Sequence, residues 1–367
     1  MQIITNVERQ STIQKNNGFQ KWMITLAGVI AIAISLVTFS FAAELPHTKL
    51  RVIGTWSHLN QYKKHEAPFW RDEIKNLSKG AITADIKGFN DLGLKGNEVM
   101  RLMRSGVIDF GTTVMGYLAA DDPINEAIDL AGLSPDIETA RKVSNAFKPV
   151  LEETYRKKYN VKLLGIWPYS AQVLFCNAPI KGLTDLKGKK VRTSNRTLSE
   201  FVDALGGTGV TLAFSEVVLA LQNKVVDCAI TGAMSGYSAK WYEVSTHLYE
   251  LPVGWSQVVL AVSLRKWQRL DPKVQQFLVN HINQLENRIW HYTAKETLEG
   301  INCNTGNQCN SGKAANMRLV QSTADDKKQL KHILLNSVLP KWSKRCNKKC
   351  IKQWNASVGK VVKLTAN

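Results

Sequence analysis

The chain lacks the short motifs that mark the common catalytic sites. It contains no GxSxG, no HExxH, no P-loop and no EF-hand loop. His58 and His65 are separated by seven positions with lysines between them, which is typical of a solvated helix face, and His291 is expected to have a packing or surface role. A catalytic triad assembled from distant residues would leave no such motif. The absences therefore favour a binding protein over an enzyme, and we assign no catalytic residue, metal ligand or cofactor.

Acidic residues are scarce relative to basic ones. The sequence has 48 Lys and Arg against 30 Asp and Glu, for a net charge of +18. This balance suits an anionic solute or an acidic membrane surface, and it equally suits a generally basic secreted protein. Nucleic acid is disfavoured because no binding module is recognisable. Much of the charge lies late in the chain, where we expect a solvated helix face (Lys341, Lys344, Arg345, Lys348, Lys349 and Lys352).

Charged residues are also missing from the segment Trp22–Ala43, which is mostly apolar. Arg9, Lys15 and Lys21 precede it, and Ser40-Phe41-Ala42 is a candidate cleavage site. The segment is long enough to span a bilayer if it is not cleaved, although we favour a cleaved signal peptide over residues 1–43. Either form places the remainder outside the cytoplasm, in the periplasm. Residues 1–43 contain three basic residues and one acidic residue, so the net charge of the remainder is +16.

Six cysteines in an exported chain favour disulfides, since no CxxC doublet and no histidine lies near them. Cys303 and Cys309 flank a Gly/Asn-rich turn and are expected to pair. Cys346 and Cys350 either pair locally or cross-pair with the first two, because an i,i+4 disulfide is strained on a regular helix. The remaining two cysteines lie in strands and are either a pair or buried free thiols (Cys176 and Cys228).

The stretch Asp185–Thr231 has the alternation of a β-α-β-α-β unit. Its three apolar runs predict parallel strands (Lys189–Thr193, Gly209–Leu212 and Val225–Ile230). Thr197 and Glu200 form the pattern of a capping box at the first helix, and the second helix is expected to open at Ser215. Because parallel sheets bind ligands beyond the carboxyl ends of their strands, we predict a crevice lined by the side chains at those ends (Arg192, Phe214 and Thr231).

Residues 50–114 repeat this plan. Strands are predicted at Leu50–Thr55, Ala81–Gly88 and Val107–Thr113, with helices at Asn60–Leu77 and Lys95–Arg104 between them. Trp56 ends the first strand and either lines the crevice or belongs to the core. Val114 and Met115 offer apolar contacts after the third strand. The adjacent carboxylates before a proline are more typical of a turn and helix cap than of a metal site (Asp121 and Asp122).

The later segments contain a helix at 137–159, a strand at Val161–Trp167 and a return strand at Val258–Ser263. Asp271 and Pro272 have the pattern of a helix N-terminus. The helix that follows continues to about Glu299, a length of about 40 Å. Its apolar positions lie on one face (Val274, Phe277, Leu278, Ile282, Leu285 and Ile289).

The segments DLKGKKVR and AFSEVVLALQNKVVD resemble the signature of the DctP-type solute-binding proteins of TRAP transporters. The resemblance extends from about Leu50 to about Glu299. It implies an α/β fold with two lobes of the type II periplasmic-binding-protein kind, each a sheet flanked by helices, and a long helix spanning both. It also implies that Arg192 pairs with a ligand carboxylate and that Phe214 packs on the ligand. The expected boundaries are 44–167 with 257–270 for lobe I, 168–256 for lobe II, 271–300 for the spanning helix, and 301–367 for an extension packed on the lobes.

Two positions depart from the family pattern. Many members have a second arginine in the segment SAQVLFCN, where this chain has Gln172, and Thr231 stands near the usual place of an asparagine. A glutamine donates hydrogen bonds but carries no charge, which weakens a clamp for dicarboxylates. We therefore expect an organic acid with one carboxylate and a less polar remainder, contacted by six residues (Arg192, Phe214, Gln172, Thr231, Trp56 and Met115).

The resemblance implies that a monomeric protein captures the acid and delivers it to a TRAP membrane permease driven by an ion gradient. An accessory protein for a membrane sensor is the alternative, and a periplasmic enzyme acting on organic acids is a third. A gene for a permease subunit beside this one would favour transport, and a gene for a receptor would favour sensing.

Overall fold

The computed structural model describes residues 44–367. Its first sheet combines the first four strands of the chain with the tenth. Its five strands lie in the order β2-β1-β3-β10-β4. β1 is parallel to β2 and β3, whereas β10 is antiparallel to β3 and β4. The strands are β1 Thr48–Gly54, β2 Ile82–Gly88, β3 Phe110–Val114, β4 Val161–Trp167 and β10 Val258–Ser263.

The second sheet has six strands in the order β11-β9-β5-β8-β6-β7. β6 lies between β7 and β8 and is parallel to both, so the predicted β-α-β-α-β unit over Asp185–Thr231 is present. The strands are β5 Gln172–Cys176, β6 Lys190–Thr193, β7 Thr208–Thr211, β8 Cys228–Gly232, β9 His247–Gly254 and β11 Arg318–Val320. Helices flank both sheets, which gives the molecule two α/β lobes.

In the first lobe, two π-helical segments, Tyr62–Glu66 and Phe69–Glu73, lead into the short helix α1. The α-helices in chain order are α1 Ile74–Leu77, α2 Gly96–Ser105, α3 Ile137–Thr154, α4 Arg196–Ala204, α5 Val217–Gln222, α6 Ala233–Ser238, α7 Leu264–Arg269, α8 Pro272–Thr305, α9 Ala324–Ile333, α10 Leu339–Arg345, α11 Lys348–Ala356 and α12 Val358–Val362.

The long helix α8 begins as predicted, with Asp271 accepting a hydrogen bond from the Lys273 amide, and it continues six residues beyond Glu299. It packs on β4 of the first sheet and on α6 beside the second sheet. Glu286 on this helix pairs with Lys148 at 2.8 Å and accepts from the Ile166 amide of β4. The helix therefore braces both lobes, as predicted.

The two capping predictions for the central stretch are wrong. Helix α4 is capped by Asn195, whose side chain accepts from the Leu198 amide, because the chain turns two residues earlier than the Thr197 pattern indicates. The next helical segment does not open at Ser215 with a hydroxyl cap. There the Glu216 carboxylate accepts from the Ala213 amide at 3.1 Å. The predicted helix cap at Asp121 and Asp122 is present, because the Asp122 side chain accepts from the Ile124 amide at the start of a short helical turn.

Three disulfides join the six cysteines, Cys176–Cys228, Cys303–Cys309 and Cys346–Cys350. The first is buried and connects β5 to β8. Cys303 lies in the last turn of α8, which continues to Thr305, and the turn that follows brings Cys309 to it. Cys346 and Cys350 are not on one regular helix, because Cys346 is the C-cap of α10 and Asn347 is the N-cap of α11. The strain expected of an i,i+4 disulfide on one regular helix therefore does not apply to this pair.

The interpretation of His65 as part of a solvated face is wrong, since only 6% of this residue is exposed. Its ring packs against Tyr292 at a centroid distance of 5.1 Å, and burial lowers the pKa of His65 to about 4. His58 is exposed, although its ring stacks on Phe214 with a centroid distance of 6.2 Å and an interplanar angle of 28°. Between Glu44 and Asn367, no helix is long and apolar enough to cross a bilayer. The predicted signal segment, residues 1–43, lies outside the described residues.

Glu66 is fully buried, and burial raises the pKa of its carboxyl from 4.5 to about 7. It accepts from the Thr55 amide at 2.8 Å and from the Thr55 hydroxyl at 2.9 Å. Between pH 4.5 and about pH 7 the Glu66 carboxyl is protonated in the folded protein and ionised in the unfolded chain. The contribution of Glu66 to the free energy of unfolding is therefore fully present below pH 4.5 and is lost as the pH rises through about 7.

We expect Glu66→Gln, which imitates the protonated carboxyl, to reduce the loss of thermal stability between pH 5 and pH 8. Melting curves of wild type and variant across that range give the comparison. The exposed Asp72→Asn serves as the control and should follow wild type. Identical pH profiles for wild type and Glu66→Gln would show that the carboxyl titrates normally.

Candidate functional site

Arg192 lies in β6, at the carboxyl end of the second sheet's parallel strands, and is buried with 1% exposure. Its Nε and Nη2 donate to the Leu212 carbonyl at 3.0 and 2.9 Å, and Nη1 donates to the Ile230 carbonyl at 3.0 Å. Leu212 follows β7 and Ile230 belongs to β8, so both neighbouring strands hold the guanidinium. The side chain is fixed before any ligand arrives.

No carboxylate among residues 44–367 forms an ion pair with this guanidinium. Neither Asp185 nor Glu200, the acidic residues nearest to it in that stretch of sequence, is its partner. Asp185 accepts from the Lys181 amide instead, and Glu200 pairs with Arg345. Burial lowers the pKa of Arg192 to about 10, so the group is still charged at neutral pH.

The hydrogen bonds leave part of the guanidinium free. Arginine has five N–H donors, and three of them are used by the Leu212 and Ile230 carbonyls. One N–H on each terminal nitrogen, Nη1 and Nη2, therefore has no acceptor in the described part of the chain. A guanidinium can present one N–H from each terminal nitrogen to the two oxygens of a carboxylate.

Aromatic rings surround the cation. The Arg192 guanidinium carbon lies 6.0 Å from the Phe214 ring centroid and 5.8 Å from that of Trp241. Trp56, two residues beyond β1 in the other lobe, approaches Phe214 with a ring centroid distance of 5.4 Å. The rings supply apolar surface and exclude water, which strengthens electrostatic interactions inside the site.

A cavity lies between the two lobes at these residues. It brings together five of the six predicted ligand contacts (Trp56, Gln172, Arg192, Phe214 and Thr231). Val114 also lines it. Of the described residues that line it, Arg192 is the only charged one (the others are Leu59, Tyr117, Tyr169, Ser194, Gly232, Ser235 and Ser256).

Met115 is placed elsewhere. Its amide donates to the Gln257 carbonyl at 2.9 Å, and the chain then turns into the short helical segment Met115–Leu118. The side chain consequently lines a neighbouring cavity, also between the lobes, beside Asn195 and Gln257. Successive residues of an extended chain point to opposite sides, so Val114 faces the Arg192 cavity and Met115 does not.

Sequence reasoning did not single out several lining residues. Tyr117 lies two positions beyond the predicted Met115, and Tyr169 and Ser194 lie in connections where no pattern distinguishes a lining position. Three buried polar atoms at the cavity have no hydrogen-bond partner within residues 44–367: Gln172 Oε1, Tyr169 Oη and Ser194 Oγ. Buried polar groups in proteins are normally paired, so these atoms are available to a ligand.

Over the described residues, one group has the spacing of a metal site, Glu299 with Cys303 and Cys309. The two sulfurs form a disulfide, and Glu299 accepts from the Asn310 amide at 2.6 Å. Disulfide sulfur is not the thiolate that binds metal ions. This group therefore stabilises the end of α8.

A buried cation facing a cavity between two α/β lobes defines a two-lobed solute-binding protein. The chain belongs to the family described as bacterial extracellular solute-binding protein, family 7 (DctP), which it matches over residues 53–342. The predicted resemblance to TRAP transporter solute-binding proteins is thereby confirmed, as is the prediction of a binding protein rather than an enzyme.

Individual relatives are distant in sequence and close in fold. The sialic acid-binding periplasmic protein SiaP of Vibrio cholerae is 24% identical over 242 residues, 65% of this chain and 75% of that protein. A Bordetella pertussis extracytoplasmic solute receptor binding pyroglutamic acid superposes with a TM-score of 0.74 at 21% identity, covering 86% of this chain and 99% of that one. A TRAP periplasmic solute-binding protein from Desulfovibrio salexigens with bound orotic acid gives 0.74 at 18% identity, covering 85% and 99%.

Proposed function

We propose that this protein captures a small organic acid between its lobes and that Arg192 binds the acid's carboxylate. The observation that carries the proposal is a buried guanidinium at the cavity that has no carboxylate partner within residues 44–367 and two N–H donors unpaired there. A buried charge without a partner is costly, so a site that keeps one is built for an anion. The names of the relatives, which bind sialic, pyroglutamic and orotic acids, support the same class.

The cavity suits an acid with one carboxylate. Arg192 supplies a single positive charge, and a second ligand carboxylate would be buried without a counter-ion. The aromatic side chains Trp56 and Phe214 offer flat apolar surface to the rest of the ligand. The unpaired atoms of Gln172, Tyr169 and Ser194 suit one or two further polar groups.

Binding couples to closure of the lobes. Trp56 from the first lobe and Phe214 from the second already approach each other across the cavity. An acid held by Arg192 and packed on Trp56 contacts both lobes, and only such a ligand favours the closed arrangement over the open one. Two of the chain's crossings between the sheets form the hinge, one at 168–171 between β4 and β5 and one at 255–257 between β9 and β10.

The second connection has the features of a hinge. Ser256 has a left-handed backbone, with φ of 49°. The Asp129 carboxylate accepts from the neighbouring Trp255 amide at 2.8 Å. Hinges concentrate backbone rotation in a few residues of this kind. The loaded, closed protein then delivers its acid from the periplasm to a TRAP permease in the membrane, a step that is consistent with membership of the family.

A thermal-shift screen of organic acids tests the proposal. An acid present at a hundred times its dissociation constant should stabilise the folded protein by about 2.7 kcal/mol. We expect stabilisation by compact monocarboxylic acids, with pyroglutamic and orotic acids among those tested. If no organic acid raises the melting temperature, the proposal is wrong.

Gln172 lines the cavity and is uncharged, whereas the family resemblance predicts a second arginine near this position in many members. We expect Gln172→Arg to raise the affinity for a dicarboxylate relative to the monocarboxylate of the same carbon skeleton by about tenfold or more, because the second carboxylate gains a charged partner. Calorimetric titration of both acids gives the ratio. Gln172→Leu is the control, since it alters polarity without adding charge, and it should not favour the dicarboxylate. An unchanged ratio in Gln172→Arg would show that residue 172 does not face the ligand.

A further inference from the structure

The segment after α8 packs on both lobes. The Trp342 indole in α10 donates to the Pro123 carbonyl at 2.9 Å, and the Trp354 indole in α11 donates to the Ala127 carbonyl at 2.8 Å. Helix α12 packs on α3 of the first lobe, whereas the π-helical turn Leu334–Val338 packs on α4 of the second. The C-terminal segment thus joins the lobes by packing on both, in addition to α8 and the two hinge connections.

One cationic side chain stands where this segment meets both lobes. Arg345 Nη2 lies 3.2 Å from Glu126 Oε2 and 3.3 Å from Glu200 Oε2, and Nη1 donates to Glu200 Oε1. The side chain of Glu126 is 2% exposed, that of Glu200 is 10% exposed and that of Arg345 is 19% exposed. The prediction of a solvated face for the late basic cluster is therefore wrong at Arg345, although Lys344 beside it is exposed.

The two carboxylates come from different lobes. Glu126 ends the short helical turn Pro123–Glu126 after β3 in the first lobe, and Glu200 lies in α4 of the second. Glu126 also lines the cavity between the lobes that Met115 and Asn195 line. Without a cation between them, two nearly buried carboxylates would repel each other and favour separation of the lobes.

We propose that Arg345 is a positioning residue for solute binding, a clamp that holds the two lobes in the closed arrangement without touching the ligand. When the lobes separate, Glu126 and Glu200 move apart and Arg345 keeps only one of its partners. The closed state therefore gains a charge-assisted hydrogen bond that the open state lacks. The inference rests on the lobe closure of the proposed function, but it does not depend on which acid is bound or on Arg192.

Double-mutant cycles on the ligand-free protein test the clamp. We combine Arg345→Met with Glu126→Gln in one cycle and with Glu200→Gln in a second, and we measure urea midpoints. Both cycles should be non-additive, because Arg345 contacts both carboxylates at once. Coupling to only one carboxylate would overturn the proposal, since a residue that merely packs within one lobe gives that result. Lys344→Met is the matched control and should be additive with both.

Distances between the lobes provide the second measurement. All six native cysteines are paired, so spin labels attach selectively to cysteines introduced at the exposed positions Lys87 and Leu219, one in each lobe. In the ligand-free protein we expect Arg345→Met to lower the ratio of short to long distances by about tenfold or more, with partial recovery in Arg345→Lys. A wild-type distribution in Arg345→Met, or a wild type that shows only the long distance, would overturn the proposal. Neither result would bear on acid binding by Arg192.

Discussion

Arg192→Lys should weaken acid binding by about tenfold to a hundredfold or more. Lysine keeps the positive charge but cannot present two parallel N–H groups, and its single ammonium cannot reproduce the hydrogen bonds to the Leu212 and Ile230 carbonyls while facing the ligand. Calorimetric titration with any acid found in the thermal-shift screen gives the measurement. The loss should appear with every acid, because all of them bind through the carboxylate.

The control for this variant is Arg196→Lys. Arg196 lies four residues away, at the exposed start of α4, and its replacement leaves the cavity unchanged. We expect wild-type affinity from Arg196→Lys. Equal affinities in wild type and Arg192→Lys would mean that the acid's charge is recognised elsewhere.

Replacing Cys176 and Cys228 together by alanine should destabilise the protein by about 4 kcal/mol, since this disulfide closes a loop with a sequence separation of 52. The bond links β5 to β8, and β8 pairs with the strand that holds Arg192. Its loss removes the constraint that the bond places on the unfolded chain. Urea unfolding of the oxidised wild type and the double variant gives the difference.

The disulfide Cys303–Cys309 is the matched comparison, because its sequence separation is only 6. Removing it in the same way should cost about half as much, since loop-closure entropy grows with the logarithm of loop length. Equal effects for the two pairs would indicate that loop entropy is not the origin of the stabilisation.

The sequence predicted those parts of the site that local patterns determine. The alternation of strands and helices over Asp185–Thr231 placed Arg192, Phe214 and Thr231 at strand ends, and the structure brings their side chains to one cavity. The long helix α8 was predictable because its apolar positions repeat at the helical period over many turns. In both cases the signal lies within a short stretch of chain.

Features that depend on contacts between distant segments were not predictable. Arg345 appeared to be one of several solvated cations, because its partners Glu126 and Glu200 are 219 and 145 positions away. His65 has the polar neighbours of a surface residue, yet Tyr292 of α8 covers it. Met115 was displaced from the site by a turn whose hydrogen bond goes to Gln257. No local pattern encodes such contacts.

A crystal structure of the complex with an acid from the screen tests the central claim most directly. The account predicts one carboxylate oxygen near Nη1 of Arg192 and the other near Nη2, each at about 2.7–2.9 Å, with the Leu212 and Ile230 carbonyls still accepting from the same guanidinium. A carboxylate bound away from Arg192, with the two N–H groups left facing solvent or another protein group, would contradict it.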